Sequence, residues 1–173
     1  ANSKNGVPLT ISMEDLARAL SDETLKKWSD VNPSLPSTNI RVYGPPPTSG
    51  TRDAFEEIVM GDLKMREDGS YIESGENDNL MVQKLDADPD AYGIFGFSYL
   101  DQNSDKIRAA AIDGVLPEYE NIADGSYTIS RSLWFYVKGD HFSAIPGLKE
   151  FVDYFSSDEV IGEEGLATDK GLI

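Results

Sequence analysis

The chain has 173 residues, with 31 acidic against 15 basic side chains and a formal net charge of −16, a balance that excludes nucleic acid and anionic membrane surfaces as electrostatic partners. It contains no cysteine, so disulfides and thiolate metal sites are excluded while either side of a membrane stays open. A hydrophobic content of 39% suffices for one sizeable core, and no apolar run reaches the ~20 residues that span a bilayer.

Along the chain, Ser12-Met13-Glu14-Asp15 resembles a capping box and predicts a helix through about Leu20. Asp22 to Trp28 predicts a second, short helix. Ile40, Val42 and Tyr43 suit a short strand, which Pro45, Pro46 and Pro47 cannot continue as either ladder or helix. Beyond them Ala54, Phe55, Ile58, Val59 and Leu63 recur at helical spacing, placing a helix start near Ser49 and its end near Leu63. The stretch from Met65 to Asn79 is rich in Gly, Asp, Glu and Asn and predicts an exposed excursion with a short hairpin around Asp68-Gly69. Leu80 to Leu85 reads as helix, and Asp86 to Asp90 as a turn around Pro89. Strand chemistry marks Gly93 to Phe97, Arg108 to Ile112 and Leu133 to Val137. Apolar spacing at Leu148, Phe151, Val152 and Phe155 predicts a helix within Ile145 to Phe155, and Asp158 to Gly165 begins another. Helices thus alternate with strands, the α/β pattern.

The strand, rigid turn and helix start at residues 39–55 have the form of an anion socket. The first N–H groups of a helix lack intrahelical partners, the macrodipole is positive there, and Gly50 allows close approach to the backbone. Ser49, Thr51 and Arg52 add hydroxyl and guanidinium donors. The same residues also read as an ordinary N-cap, since Ser and Thr are favoured there in any helix. The nucleotide P-loop is excluded, because no Lys follows Gly50 and the spacing after Gly44 is wrong.

Other chemistry is thinly supported. Asp101-Gln102-Asn103-Ser104-Asp105 imitates half of a calcium loop, but Lys106 stands where glycine is required and Ile112 where a bidentate Glu is required. His141 is the only histidine and has no second imidazole or thiolate with which to hold zinc. There is no G-x-S-x-G elbow and no cysteine nucleophile.

Several segments in one order resemble the periplasmic phosphate-binding proteins, the substrate-binding proteins of bacterial phosphate ABC transporters. They are Leu25-Lys26-Lys27-Trp28 with Asn32 to Ile40, the loop Ser49-Gly50-Thr51-Arg52, Gly93 to Tyr99, Ala111 to Val115, and Tyr127 to Val137. The resemblance implies a class II periplasmic binding protein, a two-lobed α/β fold that closes on dehydrated phosphate. Residues 1–173 would form one three-layer lobe with a mixed central sheet flanked by helices, 131–173 supplying the return crossover strand and C-terminal helices. The N-terminal lobe of the same protein would be missing, leaving an exposed half-site. Ser49, Gly50, Thr51 and Arg52, with Thr48 beside them, would bind phosphate. No cofactor is implied. The partners would be inorganic phosphate and an ABC transporter permease, in the periplasm or another extracytoplasmic space. Ala1 opens the chain without Met or signal sequence, as expected of a processed or excised piece.

The family pattern is departed from at two positions. Many members carry an Arg and an Asp in the turn before Ser-Gly-Thr, where this chain has Pro45 and Pro47. One cation and one proton acceptor are therefore absent there, and Arg52 is the residue that could replace the cation as a planar clamp. Two alternatives stay open at this point: another oxyanion such as sulfate as ligand, or an interaction or signalling module built on a binding-protein lobe.

Overall fold

The structure is a computed structural model, and it describes residues 6–162 and 164–168. The chain divides into one unit ending at Ser130 and a second beginning at Arg131. In chain order the first unit holds β1 (Thr10–Ile11), α1 (Met13–Ser21), α2 (Trp28–Val31), β2 (Val42–Gly44), α3 (Gly50–Phe55) continuing as a π-helical turn (Glu56–Met60), β3 (Tyr71–Glu73), α4 (Asp78–Ala87), β4 (Tyr92–Gly93), α5 (Phe97–Asp101), β5 (Ala111–Ile112) and α6 (Tyr119–Ala123).

Ser12 caps α1 as its sequence predicts, its hydroxyl accepting from the Asp15 amide at 3.0 Å. The helix turns Leu16, Ala17, Ala19 and Leu20 inward, onto a core that includes Trp28, Val42, Phe55 and Tyr92. A smaller cluster of Val82, Leu85, Ala91 and Ile107 packs beneath α4. The ladders are parallel: β1 pairs with β5, and β2 lies between β3 and β4. Antiparallel pairing among the described residues is confined to the isolated bridges Lys27–Asn39 and Ile112–Val115.

Several expectations are corrected. Asp22 to Trp28 is not helical, because the Asp22 carboxylate accepts from both the amide (2.9 Å) and the hydroxyl (2.6 Å) of Thr24. That local turn competes with helix formation, and the helix starts only at Trp28. The motif helix stops at Met60, since Gly61 turns to φ 55°, a conformation that favours glycine. Within Gly93 to Phe97 only Gly93 joins a ladder. Its partner strand β2 runs into three prolines that offer no N–H for further pairing.

The largest correction concerns Met65 to Asn79. Glu67 to Gly69 and Gly75 to Asn77 are exposed as expected, but there is no hairpin at Asp68-Gly69: the segment delivers β3 in parallel to β2, Tyr71 opposite Val42. It also delivers Arg66, whose side chain is fully buried. The Arg66 guanidinium donates to the Ala19 carbonyl (2.6 Å), to the Leu25 carbonyl (2.9 Å), and twice to Asp68 (2.9 and 2.7 Å). The Arg66 amide donates to the Leu20 carbonyl at 2.7 Å. One residue thus satisfies two of the carbonyls that α1 leaves unpaired at its C-terminus, where a cation is also favoured by the helix dipole. Lys26 adds a second cation to Asp68 at 2.6 Å.

The second unit contains a 3₁₀ turn (Gly139–Phe142), α7 (Leu148–Phe155) and α8 (Asp158–Ile161). The helix expected within Ile145 to Phe155 is α7, which begins after Gly147, whose φ of 83° is left-handed. The expected strand Leu133 to Val137 is absent, and no described residue pairs with it. Glu163, within the expected Asp158 to Gly165 helix, and the residues at both chain ends lie outside the described residues. No helix among the described residues is long and apolar enough to cross a membrane.

Candidate functional site

Three parallel strands bring the loops that follow Gly44, Glu73 and Gly93 to one edge of a sheet, the edge at which open α/β sheets bind ligands. The β2 loop is the motif segment. Pro45, Pro46 and Pro47 fix the backbone, the Ser49 amide closes onto the Pro46 carbonyl at 3.0 Å, and α3 begins at Gly50. Ser49 is the N-cap, its hydroxyl accepting from the Thr51 amide at 3.3 Å. The helix start predicted near Ser49 is therefore observed, and Ser49, Gly50, Thr51 and Arg52 form one continuous turn. The Ser49 amide is used inside that turn.

Thr48 points elsewhere, its hydroxyl donating to Glu76 Oε1 at 3.1 Å. This brings a carboxylate from the β3–α4 loop to the motif. A neighbouring link joins the other two loops: the Asp78 carboxyl accepts from the Gly96 amide, though burial outweighs that bond and shifts its pKa upward.

Arg52 departs from its expected setting. A first-turn arginine is expected to be exposed, yet this one is 6% exposed. Its Nε donates to Glu56 at 2.5 Å and its Nη1 reaches the Pro45 carbonyl at 3.5 Å. The guanidinium lies 4.4 Å from the Tyr71 ring centroid, a cation–π contact. Burial lowers the pKa of Arg52, but hydrogen bonding to Glu56 and the proximity of Tyr71 outweigh it, and the net shift is upward. Tyr71 donates its hydroxyl to the same Pro45 carbonyl at 2.8 Å. Gly44 is required beneath this group, since a Cβ there would collide with the Tyr71 hydroxyl. Gly44, Pro45, Arg52, Glu56 and Tyr71 therefore brace the motif turn from below.

A cavity of about 310 Å³ opens beside the brace, lined by Pro47, Arg52, Arg66, Glu67, Tyr71 and Glu73. It does not include Ser49, Gly50 or Thr51. Both of its guanidiniums are already held by carboxylates, Arg52 by Glu56 and Arg66 by Asp68. Among the described residues no group of three or more His, Asp or Glu side chains is placed to hold a metal ion.

Residues 1–159 match the PBP superfamily domain. The chain belongs to the PBP superfamily. Among curated relatives of this PBP superfamily chain, the phosphate-binding protein PstS of Staphylococcus haemolyticus is 31% identical, the match covering 91% of this chain and 52% of the relative. PstS of Bacillus subtilis is 34% identical, over 94% of this chain and 50% of the relative. A crystal structure described as a possible phosphate binding protein, from Planctomyces limnophilus, superposes with a TM-score of 0.73 at 29% identity, covering 91% of this chain and 57% of that one. The chain spans about half the length of the curated relatives it matches. The α/β fold implied by the family resemblance is the fold observed, and these relatives are named as binding proteins rather than enzymes.

Tyr71, Glu76 and Arg66 were not legible as site residues. The period-two pattern of Tyr71-Ile72-Glu73 is a weak strand signal, drowned by the turn residues on both sides; nothing local marks Glu76 or Arg66.

Proposed function

We propose that the chain is a phosphate-binding lobe of an extracytoplasmic solute-binding protein that serves an ABC transporter. The observation that carries this reading is the Ser49-capped turn at the C-terminal end of β2, in a chain whose curated relatives are phosphate-binding proteins. The Gly50, Thr51 and Arg52 amides, with the Ser49 and Thr51 hydroxyls, receive the anion at the positive end of α3 and its π-helical continuation. A phosphate oxygen competes with the Ser49 hydroxyl for the Thr51 N–H. Arg52 holds the turn through Pro45 and Tyr71 and adds its positive charge, and Thr48 is a peripheral contributor. The remaining partners are a membrane permease and a second lobe of the same protein. No cofactor and no bond-making step enter.

Glu76 favours phosphate over sulfate as ligand. A carboxylate beside the turn can accept the proton of monohydrogen phosphate, whereas it repels fully deprotonated sulfate. It thereby offers an acceptor near the position left without one by Pro47.

One wall of a cleft cannot replace the full hydration of a dianion. In calorimetric titration the isolated chain is expected to bind phosphate no tighter than about 1 mM, equivalent to about 4 kcal/mol, and sulfate more weakly still. The whole gene product is expected to bind phosphate far more tightly. A whole protein that gives no phosphate heat would remove the ligand assignment, and micromolar binding by the isolated chain would remove the half-site argument.

A further inference from the structure

The proline turn of the motif has few ways of being fixed to the sheet. Pro45, Pro46 and Pro47 carry no N–H, so their backbone can be tied down only through carbonyls. The Gly44 carbonyl accepts from the Ser74 amide at 2.8 Å, and the Pro46 carbonyl accepts from the Ser49 amide at 3.0 Å, inside the turn itself. Between them the Pro45 carbonyl accepts from the Tyr71 hydroxyl at 2.8 Å, and Pro45 is fully buried. Arg52 Nη1 reaches the same oxygen only at 3.5 Å, well beyond the usual length of such a bond.

Tyr71 meets this turn at both ends. It stands opposite Val42 in the β2–β3 ladder, so its ring runs along the sheet and carries the hydroxyl past the last ladder pair, Gly44 with Glu73, to Pro45. On the face of the same ring rests the Arg52 guanidinium, 4.4 Å from the centroid. The hydroxyl thus holds the residue where the chain leaves the sheet, and the ring holds a residue in the first turn of α3. Ser49, Gly50 and Thr51 lie in the span between these two contacts. Tyr71 is itself buried and packed onto the Gly44 backbone, where a Cβ would strike its hydroxyl.

We infer that Tyr71 is a positioning residue of the anion site: without touching the anion it sets where the Gly50 and Thr51 amides stand, a role that rests on the anion reading given under Proposed function. The hydroxyl is the part that matters. Phenylalanine at this position keeps the ring, its packing and the contact with Arg52, and removes one donor. The buried Pro45 carbonyl is then left with the long Arg52 contact alone, and a buried acceptor left without a good partner is costly enough to make the backbone shift. Amides carried on a shifted turn lose their aim, and a hydrogen bond weakens steeply as its angle closes.

Tyr71→Phe in the whole gene product tests this, with Ile107→Val as a control. Ile107 is buried in the smaller cluster beneath α4, and trimming one methylene there costs stability comparable to the loss of one hydrogen bond. In amide spectra of the ligand-free protein, the Gly50 and Thr51 resonances are expected to be displaced in Tyr71→Phe and unmoved in Ile107→Val. In calorimetric titration, phosphate affinity is expected to fall roughly three- to tenfold in Tyr71→Phe, the range for one net hydrogen bond, and to keep the parent value in Ile107→Val. Unmoved Gly50 and Thr51 resonances in Tyr71→Phe would overturn the proposal. So would an equal loss of affinity in the two variants, which would tie affinity to stability alone. A parent protein that gives no phosphate heat would sink the ligand assignment, while displaced resonances in Tyr71→Phe would still support Tyr71 as the residue that sets the turn.

Discussion

Replacing Arg66 by alanine is expected to cost about 3 to 5 kcal/mol of folding stability, since it strips a fully buried guanidinium from two carbonyls and a carboxylate. The loss has two physical sources. The Ala19 and Leu25 carbonyls lose the guanidinium that satisfies them, and Asp68 loses its main counter-charge. In thermal unfolding this corresponds to a drop of roughly 6–20 °C for a chain of this size. Acid sensitivity supplies an independent readout. Hydrogen bonds from Arg66, more than offsetting the opposing effect of burial, hold the Asp68 carboxyl well below the usual carboxylate range, with Lys26 and the Ser70 amide assisting. A carboxylate with a depressed folded pKa contributes stability that is present above its unfolded value near 3.9 and is lost as pH falls below it. The parent chain should therefore lose stability steeply from about pH 4 downward, and Arg66→Ala should show a shallower acid slope. An unchanged midpoint in the variant would show that the α1 C-terminus does not depend on this residue.

Arg52→Ala is expected to act twice. Folding stability should fall by about 2 kcal/mol, because the side chain is buried, bonded to Glu56 and stacked on Tyr71. In the whole protein, phosphate affinity should fall by about 1.5 to 3 kcal/mol, the worth of a charge-assisted hydrogen bond. Arg52→Lys keeps the charge but loses the planar fork that reaches both Glu56 and Pro45, so it should recover only part of each effect. Calorimetric titration alongside thermal unfolding separates the two contributions. If stability falls while affinity holds, Arg52 braces the turn without contributing to the anion, and the charge missing at Pro45 has no replacement there.

What could be seen in the sequence was decided by how local each determinant is. Ser12 and Ser49 cap their helices through bonds to amides two or three residues away, and the prolines after Gly44 end β2 by their own covalent geometry. Such features are written into a few adjacent letters. Arg66 takes its meaning from carbonyls 47 and 41 positions away, and Tyr71 from a carbonyl 26 positions away. No local pattern carries that information, so a Gly- and Asp-rich stretch read as loop conceals a central pairing. Asp22 to Trp28 failed differently: its residues tolerate a helix, but Asp22 finds a closer partner in Thr24. Leu133 to Val137 has the residues of a strand and lacks an edge to pair with, which no sequence window can reveal. The site follows the same division. Ser49 to Thr51 were readable as a helix start from spacing alone, whereas the brace beneath Arg52 and the approach of Glu76 depend on β3 lying beside β2.

The turn beginning at Ser49 is proposed as the anion site. Amide-resolved NMR titration of the isolated chain tests it most directly, because weak binding is still mapped residue by residue. With phosphate raised through the millimolar range at constant ionic strength, the Gly50, Thr51 and Arg52 amides are expected to move together along one saturable curve, with sulfate moving them less. Flat Gly50 and Thr51 signals, or saturable shifts confined to other parts of the chain, would contradict the account and leave Ser49 as a helix cap alone.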